Sequence, residues 1–320
     1  MNRPLRALAA LLLLPCFAAA QSYPDKPIRV IYPYAAAGTG DIAMRLLLPA
    51  LEKRFGQRIL IEVKPGAGGN IGAQQVAAAA PDGYTLLLAA TNNQTINQYL
   101  FTNMAFDPLK AFVPITMLVD VPSVFYVNPA VPAKSIKEFV AWAKQNPGKV
   151  NYASPAVGTT PHLNVELLAQ TAGIELVHVA YKGLPAAMAA TVAGDVQLYL
   201  AGLGPGKPQL AAGKLRAIAV GSAKRLPPLP EVPTLEESGY KGMRASNWFG
   251  LAAPAGTSAA IVKRWADEIR MALAAPDVSK RLGELGLVPG GNTPEEFARQ
   301  VDEEAKLWER VIRTAGIKPQ

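Results

Sequence analysis

The feature that most constrains the fold is an alternation of short apolar runs with amphipathic segments, starting just after residue 26. Ile28, Val30 and Ile31 follow Pro27 and stop at Pro33, a strand pattern over 26–32. A turn rich in Ala and Gly then leads to Asp41, placed to cap a helix with Ile42, Leu46, Leu47, Ala50 and Leu51 on one stripe and a bend at Pro49. Residues 59–63 are almost continuously apolar, which suits a strand buried inside a parallel sheet. A helix over 71–80, the turn Pro81-Asp82-Gly83 and a third strand over 84–89 complete a βαβαβ order. A second series has strands at 123–127, 150–153, 175–180, 195–200 and 215–220, with helices after Ser135 and near 162–172, 185–193 and 205–212. Pro227, Pro228, Pro230 and Pro233 interrupt it. The last third adds a strand at 248–252 and helices opened by Ser258 and by the capping box Thr293-Pro294-Glu295-Glu296. The pattern predicts an α/β chain of two lobes with a cleft between them.

Residues 1–20 stand apart. Arg3 and Arg6 precede an apolar run from Ala7 to Leu14, and Ala18-Ala19-Ala20 form a cleavage site before Gln21, the layout of a secretory signal peptide. Pro15 ends the run well short of the roughly 20 residues that span a bilayer. Cys16 raises a lipoprotein alternative, against which Pro15 stands where a small residue belongs. Cleavage near Ala20/Gln21 removes both arginines and lowers the net charge from +8 to +6. It also removes the single Cys, as suits an oxidising compartment. With two His and one Cys, neither a disulfide framework nor a Cys/His zinc cluster is available, and no metal or cofactor is expected. The basic residues are scattered rather than gathered in a stripe interleaved with aromatics, which argues against nucleic acid and is compatible with anionic ligands.

Gly38-Thr39-Gly40-Asp41-Ile42-Ala43 fits G-x-G-x-x-A, with Glu62 near the spacing of a ribose-binding acid. Gly38 nevertheless lies too far beyond the strand, and Asp41 would place a negative charge beside a pyrophosphate. Ser154 and His162 can be imagined as part of a hydrolase triad, but no G-x-S-x-G surrounds Ser154. His178, inside an apolar strand, reads as structural. Three small-residue loops, 35–40, 66–70 and 156–160, precede helices, where bare backbone N–H groups and a helix N-terminus favour an anion. The bland alternative is that these Gly and Ala residues serve tight turns.

The ordered motifs resemble those of the tripartite tricarboxylate transporter substrate-binding proteins, the TctC or Bug family. They are Tyr23-Pro24-Asp25-Lys26-Pro27-Ile28-Arg29, Pro65-Gly66-Ala67-Gly68-Gly69-Asn70-Ile71-Gly72 and Pro81-Asp82-Gly83-Tyr84-Thr85-Leu86. Asn151-Tyr152-Ala153-Ser154, His178-Val179-Ala180-Tyr181-Lys182-Gly183 and Ala212-Gly213-Lys214-Leu215-Arg216-Ala217 follow. Trp248-Phe249-Gly250-Leu251 and Thr293-Pro294-Glu295-Glu296-Phe297 complete the series. The resemblance implies a two-lobed periplasmic-binding-protein (Venus flytrap) fold, each lobe a sheet flanked by helices, with the ligand in the interlobe cleft. Lobe one would comprise 21–122 and 227–320, and lobe two 123–226.

It further implies a periplasmic receptor without enzymatic activity, a monomer that hands a small organic carboxylate to membrane subunits of a tripartite transporter or to a sensor. The alternatives are a signalling receptor without a dedicated transporter and an exported hydrolase. Family members hold the carboxylate with loops that correspond here to 33–41 and 154–162. The expected contacts are Tyr34, the backbone of Ala37 and Gly38, Thr39 and Asp41 from lobe one. Thr91 and Asn93 lie just after the third strand, and Ser154, Gly158, Thr159, Thr160 and His162 come from lobe two. Asp41, Thr159 and Thr160 also have a simpler reading as helix caps. The first loop reads Ala35-Ala36-Ala37-Gly38 where the family usually has Pro-Gly-Gly, and Gly40 replaces a Ser or Thr. Ala201-Gly202 replaces a polar Asp-Asn-like pair that could hold an ammonium group, which points to an acid without an amine.

Overall fold

The computed structural model describes residues 23–319; the expected signal peptide, its expected cleavage site and Cys16 lie outside the described residues. The chain enters through β1 (Ile28–Tyr32), α1 (Thr39–Phe55), β2 (Ile59–Val63), α2 (Asn70–Ala77), β3 (Thr85–Ala90) and β4 (Phe112–Pro122). It crosses into β5 (Val124–Val127), α3 (Ile136–Gln145), β6 (Asn151–Ser154), α4 (Thr160–Ala172), β7 (Val177–Ala180), α5 (Leu184–Ala193), β8 (Leu198–Ala201), α6 (Leu203–Ala211) and β9 (Arg216–Val220). It returns through β10 (Ser246–Pro254), α7 (Ala259–Leu273), α8 (Pro276–Glu284), β11 (Val288–Pro289) and α9 (Pro294–Thr314).

Two sheets result, with strand orders β11-β4-β10-β3-β1-β2 and β7-β6-β8-β5-β9. β1 runs parallel to β2 and β3, and β6 parallel to β7 and β8, whereas β4, β5, β9 and β10 pair antiparallel. The helices that follow parallel strands therefore all begin at the carboxyl ends of their sheets, the edge at which open α/β sheets bind ligands. Helix α1, with Met44, Leu47, Leu51 and Phe55 buried, packs on the first sheet beside α7, where Trp265 meets the Phe55 ring at 4.3 Å. The second sheet is covered on both faces, by α3 and α4 over Phe125 and Tyr152 and by α5 over Tyr126 and Tyr199.

The structure departs from the sequence pattern in four places. β2 is an edge strand whose Leu60 is 46% exposed, so an apolar run alone did not mean burial on both faces. β4, with no counterpart in the sequence pattern, is the longest strand described; register shifts against β10 accommodate Pro114, and Pro122 ends the strand. Helix α1 begins at Thr39 with Gly38 as N-cap, not at Asp41. Residues 227–245, expected in lobe one, lay Val232, Leu235, Met243 and Ala245 into the core of the second sheet, while Val220 accepts from Leu235 N–H. The prolines break the pattern, but the chain stays on that sheet until Ser246 pairs with Pro122.

Candidate functional site

The loop after β1 and the loop after β6 are built alike. In each, one residue takes a left-handed backbone, Ala37 at φ 61° and Gly158 at φ 75°. The next is an extended N-cap, Gly38 at φ −70°, ψ 166° and Thr159 at φ −72°, ψ 154°. Its N–H bonds back three residues, to Ala35 O at 3.3 Å and to Ala156 O at 3.4 Å. The third helical residue then accepts from the left-handed residue's N–H: Asp41 Oδ2 from Ala37 and His162 Nδ1 from Gly158, both at 2.9 Å. An Ala at positive φ costs on the order of 1 kcal/mol, and the Asp41 bond offsets that strain. Asp41 also pairs with Arg45 Nε at 2.7 Å.

This geometry reassigns several expected contacts. The N–H groups of Ala37 and Gly38 are engaged within their own loop. Tyr32, absent from the expected set, places its hydroxyl beside Gly38 at the opening of α1, and burial pushes its phenol up to about 12. Asp41 thus organises the loop from inside the first turn. Thr91 accepts from Trp248 N–H at 3.0 Å, which ties β10 to the turn after β3. Thr159 occupies the N-cap position, but its hydroxyl donates to Ala156 O at 2.8 Å rather than capping the helix.

Ser154 is fully buried, and its hydroxyl donates to Ala156 O at 2.9 Å. The same hydroxyl lies 2.6 Å from His178 Nε2, a contact whose donor is set by the histidine tautomer. His162, the partner imagined for Ser154, is turned to Gly158 instead, so the imagined Ser154–His162 pair does not form. Glu62, the supposed ribose acid, is held by Arg29 through bonds of 2.7 and 3.0 Å.

Polar groups without partners gather at the first loop. The Tyr34 hydroxyl is buried near the Asn93 backbone but outside hydrogen-bond geometry, and desolvation drives its pKa well above the usual range for a phenol. Tyr34 lies over Gly69, whose φ of 96° and missing Cβ leave room for the ring. Asn93 uses Oδ1 to accept from Ala90 N–H at 3.0 Å, leaving a buried Nδ2 unpaired. A buried donor left unpaired costs about 1–3 kcal/mol unless something accepts from it.

Across the cleft, Asn92 donates to Gly158 O at 3.3 Å and meets Thr160 Oγ1 at 3.4 Å, while Leu100 packs against Gly158. The carboxyl ends of the two sheets therefore face each other, with Thr39 and Thr160 opening the helices on opposite sides. Asn92 was missed because a turn of π-helix at Asn92–Ile96 has no sequence period of its own. His178 was missed as a loop partner because its link to Ser154 depends on the β6–β7 register, Ser154 opposite Ala180.

Comparison with known proteins agrees with this architecture. The sequence model of the tripartite tricarboxylate transporter family receptor matches residues 43–317. BugT of Bordetella pertussis is 32% identical over 300 residues, covering 93% of this chain and 92% of that protein. Among solved structures, R. palustris Rpa4515 with adipate superposes at a TM-score of 0.78 with 34% identity, covering 93% of this chain and all of that one. MatC (Rpa3494) from Rhodopseudomonas palustris with bound malate gives 0.73 and 31%, over 91% of this chain and 100% of its own. Matched along nearly its whole length, the chain belongs to the TctC family of tripartite tricarboxylate transporter receptors, periplasmic solute-binding proteins with a two-lobed fold.

Proposed function

We propose that this chain captures a small organic carboxylate without an amine, in the cleft between loops 33–41 and 154–162, and presents it to the membrane subunits of a tripartite transporter. The observation that carries this reading is a difference in helix capping. At the five helices that start at the facing sheet edges, α1, α2, α4, α5 and α6, the N-cap residue makes no side-chain capping bond, four of these residues being Gly. Of the other four, α3, α7 and α9 are capped by Ser135, Ser258 and Thr293, and only the short α8 is not. Positive helix ends open at these edges and two buried donors beside the first loop lack partners, and an anion held in the cleft would satisfy both. Adipate and malate in related structures supply the carboxylate class for this proposal.

In this reading lobe one comprises residues 21–122 and 246–320, and lobe two 123–245. Closing the lobes removes water from the anion and strengthens each polar contact. Export to the periplasm through residues 1–20, a monomeric state and the lack of any catalysed reaction belong to the same proposal. Calorimetric titration with adipate, malate and a set of mono- and tricarboxylates should give one-to-one binding of at least one acid, recovered unchanged. Ester turnover lost in Ser154→Ala, or an amino acid bound far more tightly than every plain acid, would contradict it.

A further inference from the structure

The two loops share one design but differ in the atom that holds them. In lobe one the acceptor is a carboxylate paired with Arg45; in lobe two it is the Nδ1 of an imidazole. An imidazole accepts a backbone N–H only at an unprotonated nitrogen. We infer that His162 is a proton-sensitive latch on loop 154–160, closed while its ring is neutral and released when Nδ1 takes up a proton. This rests on the reading of that loop as one wall of the ligand site.

With Nδ1 accepting from Gly158, the ring proton of His162 sits on Nε2, which lies 3.9 Å from Glu166 Oε1. A second proton would set an Nδ1–H against the Gly158 N–H, two donors face to face, and the bond would be lost. His178 makes that proton harder to accept: the two imidazoles stack with centroids 3.7 Å apart and planes 9° apart, and Tyr152 stacks on both. A His162 that is 3% exposed has little water to solvate a cation. Burial first, and the neighbouring His178 second, hold His162 down at about 3.

The groups facing the pair come from every element around it. Glu166 lies on α4, Tyr152 and Ser154 on β6, and His178 on β7; β8 and α9 turn apolar side chains towards α4, and β10 meets it through the Ser246 carbonyl. Glu166, which accepts from the Tyr152 hydroxyl, is raised by burial and so titrates in the opposite sense. It lies beyond the loop and is left unchanged in the variant tested below.

The sign follows from the His162 shift. An open loop returns His162 to water and to an ordinary value of about 6.5, so the open form binds more protons wherever the pH lies between about 3 and 6.5. Acid therefore favours opening. From pH 7.5 to pH 5 the open-to-closed ratio rises about 30-fold on those two values.

Native-state amide exchange on the full chain, corrected for the intrinsic rate at each pH, tests this without a ligand. Protection of the Gly158 amide should fall about 30-fold between pH 7.5 and 5. Ala37, in the equivalent lobe-one loop, serves as the internal control and should not follow. In His162→Asn, Oδ1 replaces Nδ1 as the acceptor and does not titrate, so protection should persist at pH 7.5 and lose its pH dependence. Should that variant not fold, the wild-type chain suffices: the Gly158 amide shift and the His162 ring nitrogens should share one acid transition. Gly158 and Ala37 losing protection together, or a Gly158 amide indifferent to pH, would overturn the latch. A carboxylate panel that binds nowhere would instead overturn the receptor reading, and the exchange result would stand by itself.

Discussion

Gly158→Val is expected to weaken carboxylate binding about 100-fold while leaving both sheets folded. Gly158 sits at φ 75°, where a β-branched residue is costly, and a Cβ there runs into the Leu100 side chain. The same residue donates to His162 and accepts from Asn92, so moving it unfastens the loop at both ends. Strain of about 1–2 kcal/mol and a lost hydrogen bond of about 1 kcal/mol together approach 3 kcal/mol, or about two decades of affinity if binding must restore the loop. Gly56→Val is the matched control: its φ is 67° at the end of α1, and no atom lies within 4 Å of a Cβ there. It should cost stability and spare affinity. Equal affinity losses in the two variants, by calorimetry, would show that loop 154–160 has no special part in binding.

Trp248→Ala should cost about 3–5 kcal/mol of stability in urea unfolding, a large fraction of what holds a domain folded. Trp248 is 1% exposed on β10, near the point where the chain returns from lobe two, and its ring meets Phe297 edge-on with centroids 4.9 Å apart. Its Nε1 donates to Glu304 Oε2 at 2.7 Å and its backbone N–H to Thr91. Glu304 is a half-buried acid that desolvation pushes up to about 7, with Asp120 on β4 pushed up to about 6 for the same reason. Trp248→Phe keeps most of the packing and removes only the indole donor. At pH 8.5, where Glu304 is ionised, it should therefore cost about 1.5–3 kcal/mol, the worth of a hydrogen bond to a charged group. A Trp248→Phe protein as stable as the parent would show that the Glu304 bond contributes nothing.

The strand and helix succession was legible because its signals are local. Pro27 and Pro33 bracket β1, Ser135 and Ser258 cap α3 and α7, and the box at Thr293 opens α9 with both of its hydrogen bonds formed. Hidden from the sequence was whatever depends on pairing between distant segments. Strand β4 needs β10, which lies more than a hundred residues away, to hold its prolines in register. The return to the first sheet likewise depends on packing, since Leu235 and Met243 follow four prolines and still reach the second core.

At the candidate site, the two loops were legible in advance as small-residue loops before helices, a local signal. Their division of labour was not. Ala37 and Gly38 spend their N–H groups internally, Thr91 and Ser154 serve the framework, and Asn92 and His178 matter only through contacts formed by the fold. The cavity of about 510 Å³ beside Arg244, Ser246, Gln300, Glu304 and Trp308 lies between α4 and α9, away from these loops.

Whether the cleft holds the acid is decided by a crystal structure of the chain with adipate or malate. One carboxylate is expected between the lobes, within hydrogen-bond distance of the helix openings at Thr39 and Thr160, with the Tyr34 hydroxyl or Asn93 Nδ2 now partnered. An acid bound in the cavity between α4 and α9, or on one lobe alone with the facing loop untouched, would contradict the receptor reading.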